Sequence, residues 1–124
     1  MPLSEFDPHY IRIRQHQQAI IANFTVPFLT EEVNLEQLGH ELFALVEQFG
    51  CRQLVVSMQG VEYLTSSGVG KLITLHRKMH RVEGVVIFCD FQESVEEILR
   101  TSKLLTYFNV APNLVSALAA LPKA

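Results

Sequence analysis

The stretch Leu64-Thr65-Ser66-Ser67-Gly68-Val69-Gly70-Lys71-Leu72 joins two unlike patterns. Upstream, Leu54-Val55-Val56-Ser57-Met58 is a short apolar run of buried-strand type. Downstream, Val69, Leu72, Ile73, His76, Met79 and Val82 recur at helical spacing. The stretch therefore reads as a strand end, a tight connection and a helix start, with the helix predicted from Ser66 to Arg81. Its hydroxyls and two glycines fall where the first backbone N–H groups of a helix have no internal partner. Hydroxyl side chains are favoured there because they accept from those groups. The helix dipole favours negative charge at the same place, so a serine here is a natural spot to hold or receive a phosphate.

Working outward, Tyr10, Ile11 and Ile13, then Ala19 to Phe24, predict two strands. Gln15-His16-Gln17-Gln18 is their hairpin connection, which makes them antiparallel. Pro27 stops the second strand, and Val26 to Glu32 reads as a loop. Asn34 caps a helix, with Gln37 as the other half of a capping box and Leu35, Leu38, Leu42, Leu45, Val46 and Phe49 on one face. Gly50 ends it. A strand spans about Gln53 to Met58, and Glu83-Gly84 turns the chain into a continuous apolar strand from Val85 to Phe91. A short helix over Gln92 to Thr101 follows, with Val95, Ile98 and Leu99 inward. Tyr107 to Val110 is a brief strand or turn, and Pro112 to Leu121 is a last helix with Pro112 near its first turn. Strands alternating with helices of this length predict an α/β fold: a mostly parallel mixed sheet of four or five strands, an antiparallel N-terminal pair and about four helices.

A chain of 124 residues is enough for one compact domain and too short for two separate cores. Met1 to Pro8 is expected to be a loose lead-in, with the domain over residues 9–124. A hydrophobic fraction of 48% with 19% charged residues belongs to a soluble globular chain and not a disordered one. A net charge of −3 with no basic block argues against direct nucleic-acid binding, and no apolar run is long enough to span a bilayer. Met1 to Phe6 lacks the pattern of a secretory signal. Cys51 and Cys89 read as buried free thiols in a reducing cytosol; a disulfide would require neighbouring strand positions.

No catalytic set emerges, whether Ser-His-Asp, reactive cysteine or paired carboxylates, and no cofactor is expected. Gly68-Val69-Gly70-Lys71 is like the tail of a phosphate-binding P-loop, but Thr65 replaces the first glycine and Leu72 the final hydroxyl, which argues against nucleotide hydrolysis. His76 and His80 share a side of the helix. With no third ligand nearby they read as a surface or half-buried pair, not a metal site. Lys71, Arg77, Lys78 and Arg81 make one flank of this helix basic, either as a solvated face or as a surface for an acidic partner. Glu93, Glu96 and Glu97 suit the dipole of the next helix.

The run Val61-Glu62-Tyr63-Leu64-Thr65-Ser66-Ser67-Gly68-Val69-Gly70 resembles the signature of the STAS domain of bacterial anti-sigma factor antagonists: an aspartate, a serine, a serine or threonine, then Gly-Leu-Gly. Leu72 to Met79 is similar to that family's second helix and Gly84 to Cys89 to its next strand. Glu93 to Leu105 is similar to its following segment, with Lys103 in place of the usual glycine. Residues 51–121 match in order and spacing, and the N-terminal third in pattern only. The resemblance implies a non-enzymatic, cytoplasmic regulatory domain whose partner is both anti-sigma factor and serine kinase. It implies Ser66 as the phosphorylated residue, with Ser67 as fallback, and a partner surface of Tyr63, Thr65, Ser66, Ser67, Gly68, Val69 and Lys71. In that scheme the unmodified domain binds its partner, and a phosphate, adding about −1.5 to −2 charges to a surface that must be desolvated on docking, breaks the complex. Thr65 stands where the family has aspartate, so the acceptor lacks its usual neighbouring charge. A constitutive scaffold that assembles with other STAS-like chains without phosphorylation is the alternative, and a small-ligand binder or enzyme using the same loop is the third reading.

Overall fold

A computed structural model describes residues 3–122; Met1, Pro2, Lys123 and Ala124, at the outer ends of the expected lead-in and domain, lie outside the described residues. After a 3-10 turn at Leu3–Glu5 come β1 (Ile11–His16), β2 (Ala19–Phe24), β3 (Phe28–Leu29), α1 (Leu35–Glu47) and β4 (Gln53–Ser57). Then follow β5 (Tyr63–Leu64), α2 (Ser66–Arg81), β6 (Val85–Cys89), α3 (Glu93–Thr101), β7 (Asn109–Val110) and α4 (Leu114–Ala120). Five strands form one mixed sheet in the order β1-β2-β4-β6-β7, antiparallel only between β1 and β2.

Strands β4 and β6 lie in the middle of the sheet, which explains their unbroken apolar runs. Leu54, Val56, Val86 and Phe88 point into a core shared with α1, α2 and α3. Val55, Ile87 and Cys89 point to the opposite face, where Ala117 of α4 packs. Both faces are covered, so neither needs polar alternation. Leu38, Leu42 and Leu45 of α1 are fully buried, and each contributes roughly 2 kcal/mol of apolar transfer. The same helix buries one carboxylate. Glu41 accepts the backbone N–H groups of His9 (2.9 Å) and Tyr10 (2.7 Å) and the Gln37 amide (3.0 Å), so the buried charge is satisfied and α1 is tied to the start of β1.

The structure differs from the sequence reading at several joints. The hairpin is tighter than expected: Gln15 and His16 remain in β1, leaving Gln17, at φ 55°, and Gln18 to turn. Asn34 caps α1 through Gln37 N at 3.0 Å, but the Gln37 side chain goes to Glu41, so the reciprocal half of the capping box is not made. Phe49 lies beyond α1, where it meets Phe6 at 5.0 Å between ring centroids. The loop predicted over Val26 to Glu32 contains β3, and β5 was not anticipated; the two pair in parallel as a separate small sheet. Two-residue strands carry too little periodicity to be read from sequence. The α2 C-terminus turns at Glu83, with φ 61°, not at Gly84. Gly84 is needed for space, because a Cβ there would collide with Met79 and sit 2.8 Å from the Arg52 carbonyl. The strand after it ends at Cys89 rather than Phe91. Pro112 precedes the Asn113 cap of α4 and is outside the helix. Cys51 and Cys89 are buried and free, in cores on opposite sides of the sheet.

Candidate functional site

The small sheet fixes the start of α2. β3 and β5 pair Phe28 with Tyr63 and Leu29 with Leu64; Glu62 N donates to the Pro27 carbonyl at 2.7 Å and Thr65 N to the Leu29 carbonyl at 3.1 Å. Leu29 and Leu64 are buried beneath, and the alternation of strand side chains leaves Phe28 and Tyr63 outward, 44% and 49% exposed. Gly68, in the first turn of α2, packs directly on β3: a Cβ there would run into the Leu29 carbonyl oxygen. Gly70 has no such neighbour, since nothing lies within 4 Å of where its Cβ would be. Of the two glycines, Gly68 alone is sterically required within this chain.

The N-cap of α2 is Thr65, and neither serine caps. The Thr65 hydroxyl makes no capping bond. It lies 3.2 Å from Glu31 Oε1 and 3.4 Å from the Leu29 carbonyl, so its proton is turned toward the segment between β3 and α1. Ser66 and Ser67 are the first two helical residues, and both are exposed. The first intrahelical bond is Val69 N to Thr65 O, so the N–H groups of Ser66, Ser67 and Gly68 precede the helical ladder, and they point out of the positive end of the helix dipole. Glu31 stands beside them. Hydrogen bonding from the Ser67 hydroxyl, then from its own backbone and from Thr65, holds its carboxyl below the usual range against the opposing effect of desolvation. A carboxylate from 34 residues upstream thus lies beside Thr65. Glu31, Ser67, Gly70, Lys71 and Thr74 line a cleft between the first turns of α1 and α2.

The expected partner residues Tyr63, Thr65, Ser66, Ser67, Gly68, Val69 and Lys71 are brought to one end of α2, but not on equal terms. Tyr63, Ser66 and Ser67 are outward, Gly68 is buried and Val69 is half-buried. Lys71 reaches Glu36 of α1 at 3.0 Å, and Lys78 reaches Glu47 at 3.1 Å. The basic flank is therefore divided. Positions 71 and 78 share the side facing α1, whereas Arg77 and Arg81, one turn apart, project elsewhere. Sequence reasoning missed Phe28 and Glu31. Phe28 left a signal, an aromatic just past Pro27 in a segment with nothing to bury it. Glu31 left none, because its place beside Ser67 depends on β3 pairing. His76 is half-buried and His80 exposed; no cluster of metal-ligating side chains occurs among the described residues.

Comparison with known proteins gives a consistent result. A family model described as the STAS domain matches residues 10–117. The chain is 29% identical over 92 residues to a protein of Bordetella bronchiseptica described as an anti-sigma factor antagonist, BtrV, covering 74% of this chain and 78% of that one. Its fold is similar to the crystal structure of an anti-sigma factor antagonist from Thermotoga maritima, with a TM-score of 0.81 at 16% identity over 93% of this chain and 97% of that one. It is also similar to the Bacillus cell fate determinant SpoIIAA in its phosphorylated form, with a TM-score of 0.62 at 16% identity over 82% and 90% of the two chains.

Proposed function

This chain belongs to the STAS domain family, and from that premise we propose that it is a regulatory interaction domain that binds an anti-sigma factor with serine kinase activity and is released when Ser66 is phosphorylated. One observation carries the reading: an exposed serine hydroxyl occupies the first position of α2, beside N–H groups that precede the helical ladder. A phosphate there would gain hydrogen bonds and favourable dipole energy within the domain, at little cost in folding. The penalty falls on docking, because the exposed rings of Phe28 and Tyr63 lie on the strand pair that leads into Ser66 and would be desolvated together with the new charge. Ser66 is favoured over Ser67 because Ser67 shares its cleft with Glu31, whose negative charge would oppose a phosphate there.

The test uses a partner kinase of this type, intact mass and pull-down. Phosphorylation adds one phosphate, which Ser66→Ala abolishes; Ser66→Ala keeps partner binding and Ser66→Asp loses it. Equal binding by both variants would overturn the switch. No added phosphate, together with a large constitutive assembly in light scattering, would favour the scaffold reading instead.

A further inference from the structure

At the other end of α2, ten residues or about 15 Å from Ser66, the chain forms a second and differently built cavity. It measures about 660 Å3 and is lined by His76, Arg77, His80, Arg81 and Tyr107. Tyr107, 45% exposed, forms an aromatic wall with its ring centroid 4.8 Å from that of His76, and Phe108 backs the same imidazole at 5.5 Å.

Two observations mark this cavity as more than a solvated helix end. First, the chain carries an excess of acid, net −3, yet no carboxylate lines the cavity. Second, the lysines of α2 are neutralised by Glu36 and Glu47, whereas Arg77 and Arg81 form no ion pair among the described residues, as is also true of Arg12, Arg14, Arg52 and Lys103, and they alone of these line a cavity beside an exposed aromatic ring without a carboxylate. The helix dipole favours cations on the last turn, but it accounts neither for the aromatic wall nor for the concavity.

We propose that this cavity binds a phosphate monoester carried on a flat ring. Two guanidiniums one turn apart balance the roughly −2 charge of a phosphoryl group and present the donor forks that match its oxygens. The exposed face of Tyr107 offers the ring a stacking surface, as in concave ligand sites built from an aromatic wall and a few convergent polar groups. The site is independent of Ser66 and of whether Ser66 is modified.

The full chain is titrated with phenyl phosphate and, separately, with inorganic phosphate, followed by backbone and imidazole NMR signals. Phenyl phosphate is expected to shift the signals of His76, Arg77 and Tyr107 saturably at millimolar concentration, and to bind more tightly than inorganic phosphate. Replacing both exposed arginines, Arg77→Gln with Arg81→Gln, weakens it by about a hundredfold, about tenfold for each charge-assisted contact. The paired Arg→Lys replacements keep the charge but lose the fork, and also weaken binding. Tyr107→Ala removes the preference for phenyl phosphate. Absence of saturable shifts, or a double Arg→Gln variant that binds like the parent with unchanged circular dichroism, would overturn the proposal. Equal affinity for the two probes would overturn the part assigned to Tyr107.

Discussion

Lys103 sits at φ 61°, in the left-handed region, at the position where the family pattern has glycine. It follows the Ser102 cap of α3, and the chain closes with Lys103 N to the Arg100 carbonyl (3.0 Å) and Leu104 N to the Leu99 carbonyl (2.8 Å). This is the Schellman arrangement, whose middle residue must be left-handed. A side chain there costs about 1–2 kcal/mol, against roughly 0.5–1 kcal/mol for the extra freedom of an unfolded glycine. Lys103→Gly should therefore raise stability, by up to about 1 kcal/mol in urea unfolding. His76 gives a pH dependence. Burial, and then the charge of His80, pushes its pKa below the ordinary 6.5. The unfolded chain thus takes up a proton first as pH falls, and stability that is complete above about pH 6.5 is lost on acidification through the lower folded value. His76→Phe, which keeps a ring against Tyr107 and Phe108, should flatten that part of the melting temperature profile. An unchanged profile would show that folding leaves the proton affinity of this imidazole where it is in the unfolded chain.

At the scale of the element, α2 meets a different neighbour on each side. Its first turn packs on β3 through Gly68, its lysines reach α1, and His76 faces Tyr107 and Phe108. The Gly68 contact is with backbone, which cannot move aside as a side-chain tip can. Gly68→Ala should therefore destabilise by roughly 1–3 kcal/mol and disturb the β3–β5 pair. Gly70→Ala meets open space inside a helix and should stabilise by up to about 1 kcal/mol. Opposite signs for two glycines two residues apart, measured by chemical unfolding, would separate steric need from helix propensity. The same logic explains why the basic flank divided. Helical geometry sets Lys71 and Lys78 on one side and Arg77 and Arg81 on another, but only the placement of α1 decided which pair met carboxylates.

For the whole molecule, the central strands serve two layers at once. Because β4 and β6 supply alternate side chains to the helix-pair core and to the α4 core, neither layer can persist without the other. The two thiols report on this. Cys51 lies in the first core and Cys89 in the second, where burial and then Asp90 push its pKa up to about 12. Both should become reactive toward a thiol reagent at the same urea midpoint, and separate midpoints would mean separable layers. Much of this architecture was legible in the chain. The helix from Ser66 to Arg81, the strand pair before residue 25 and the apolar central strands rest on local periodicity, which composition and spacing express directly. The place of Ser66 at the head of α2 was legible from the same periodicity, but the capping expected of these hydroxyls is not made: Thr65 is the N-cap and its side chain makes no capping bond. The pairing of β3 with β5, the approach of Glu31 to Thr65 and Ser67, the exposure of Phe28, and the meeting of Tyr107 with His76 and the arginines were decided only by the tertiary structure. The contacts among these join residues 26 or more apart in the chain through side-chain packing or a two-residue strand. Sequence periodicity says which face of an element is apolar, and only packing decides what that face meets.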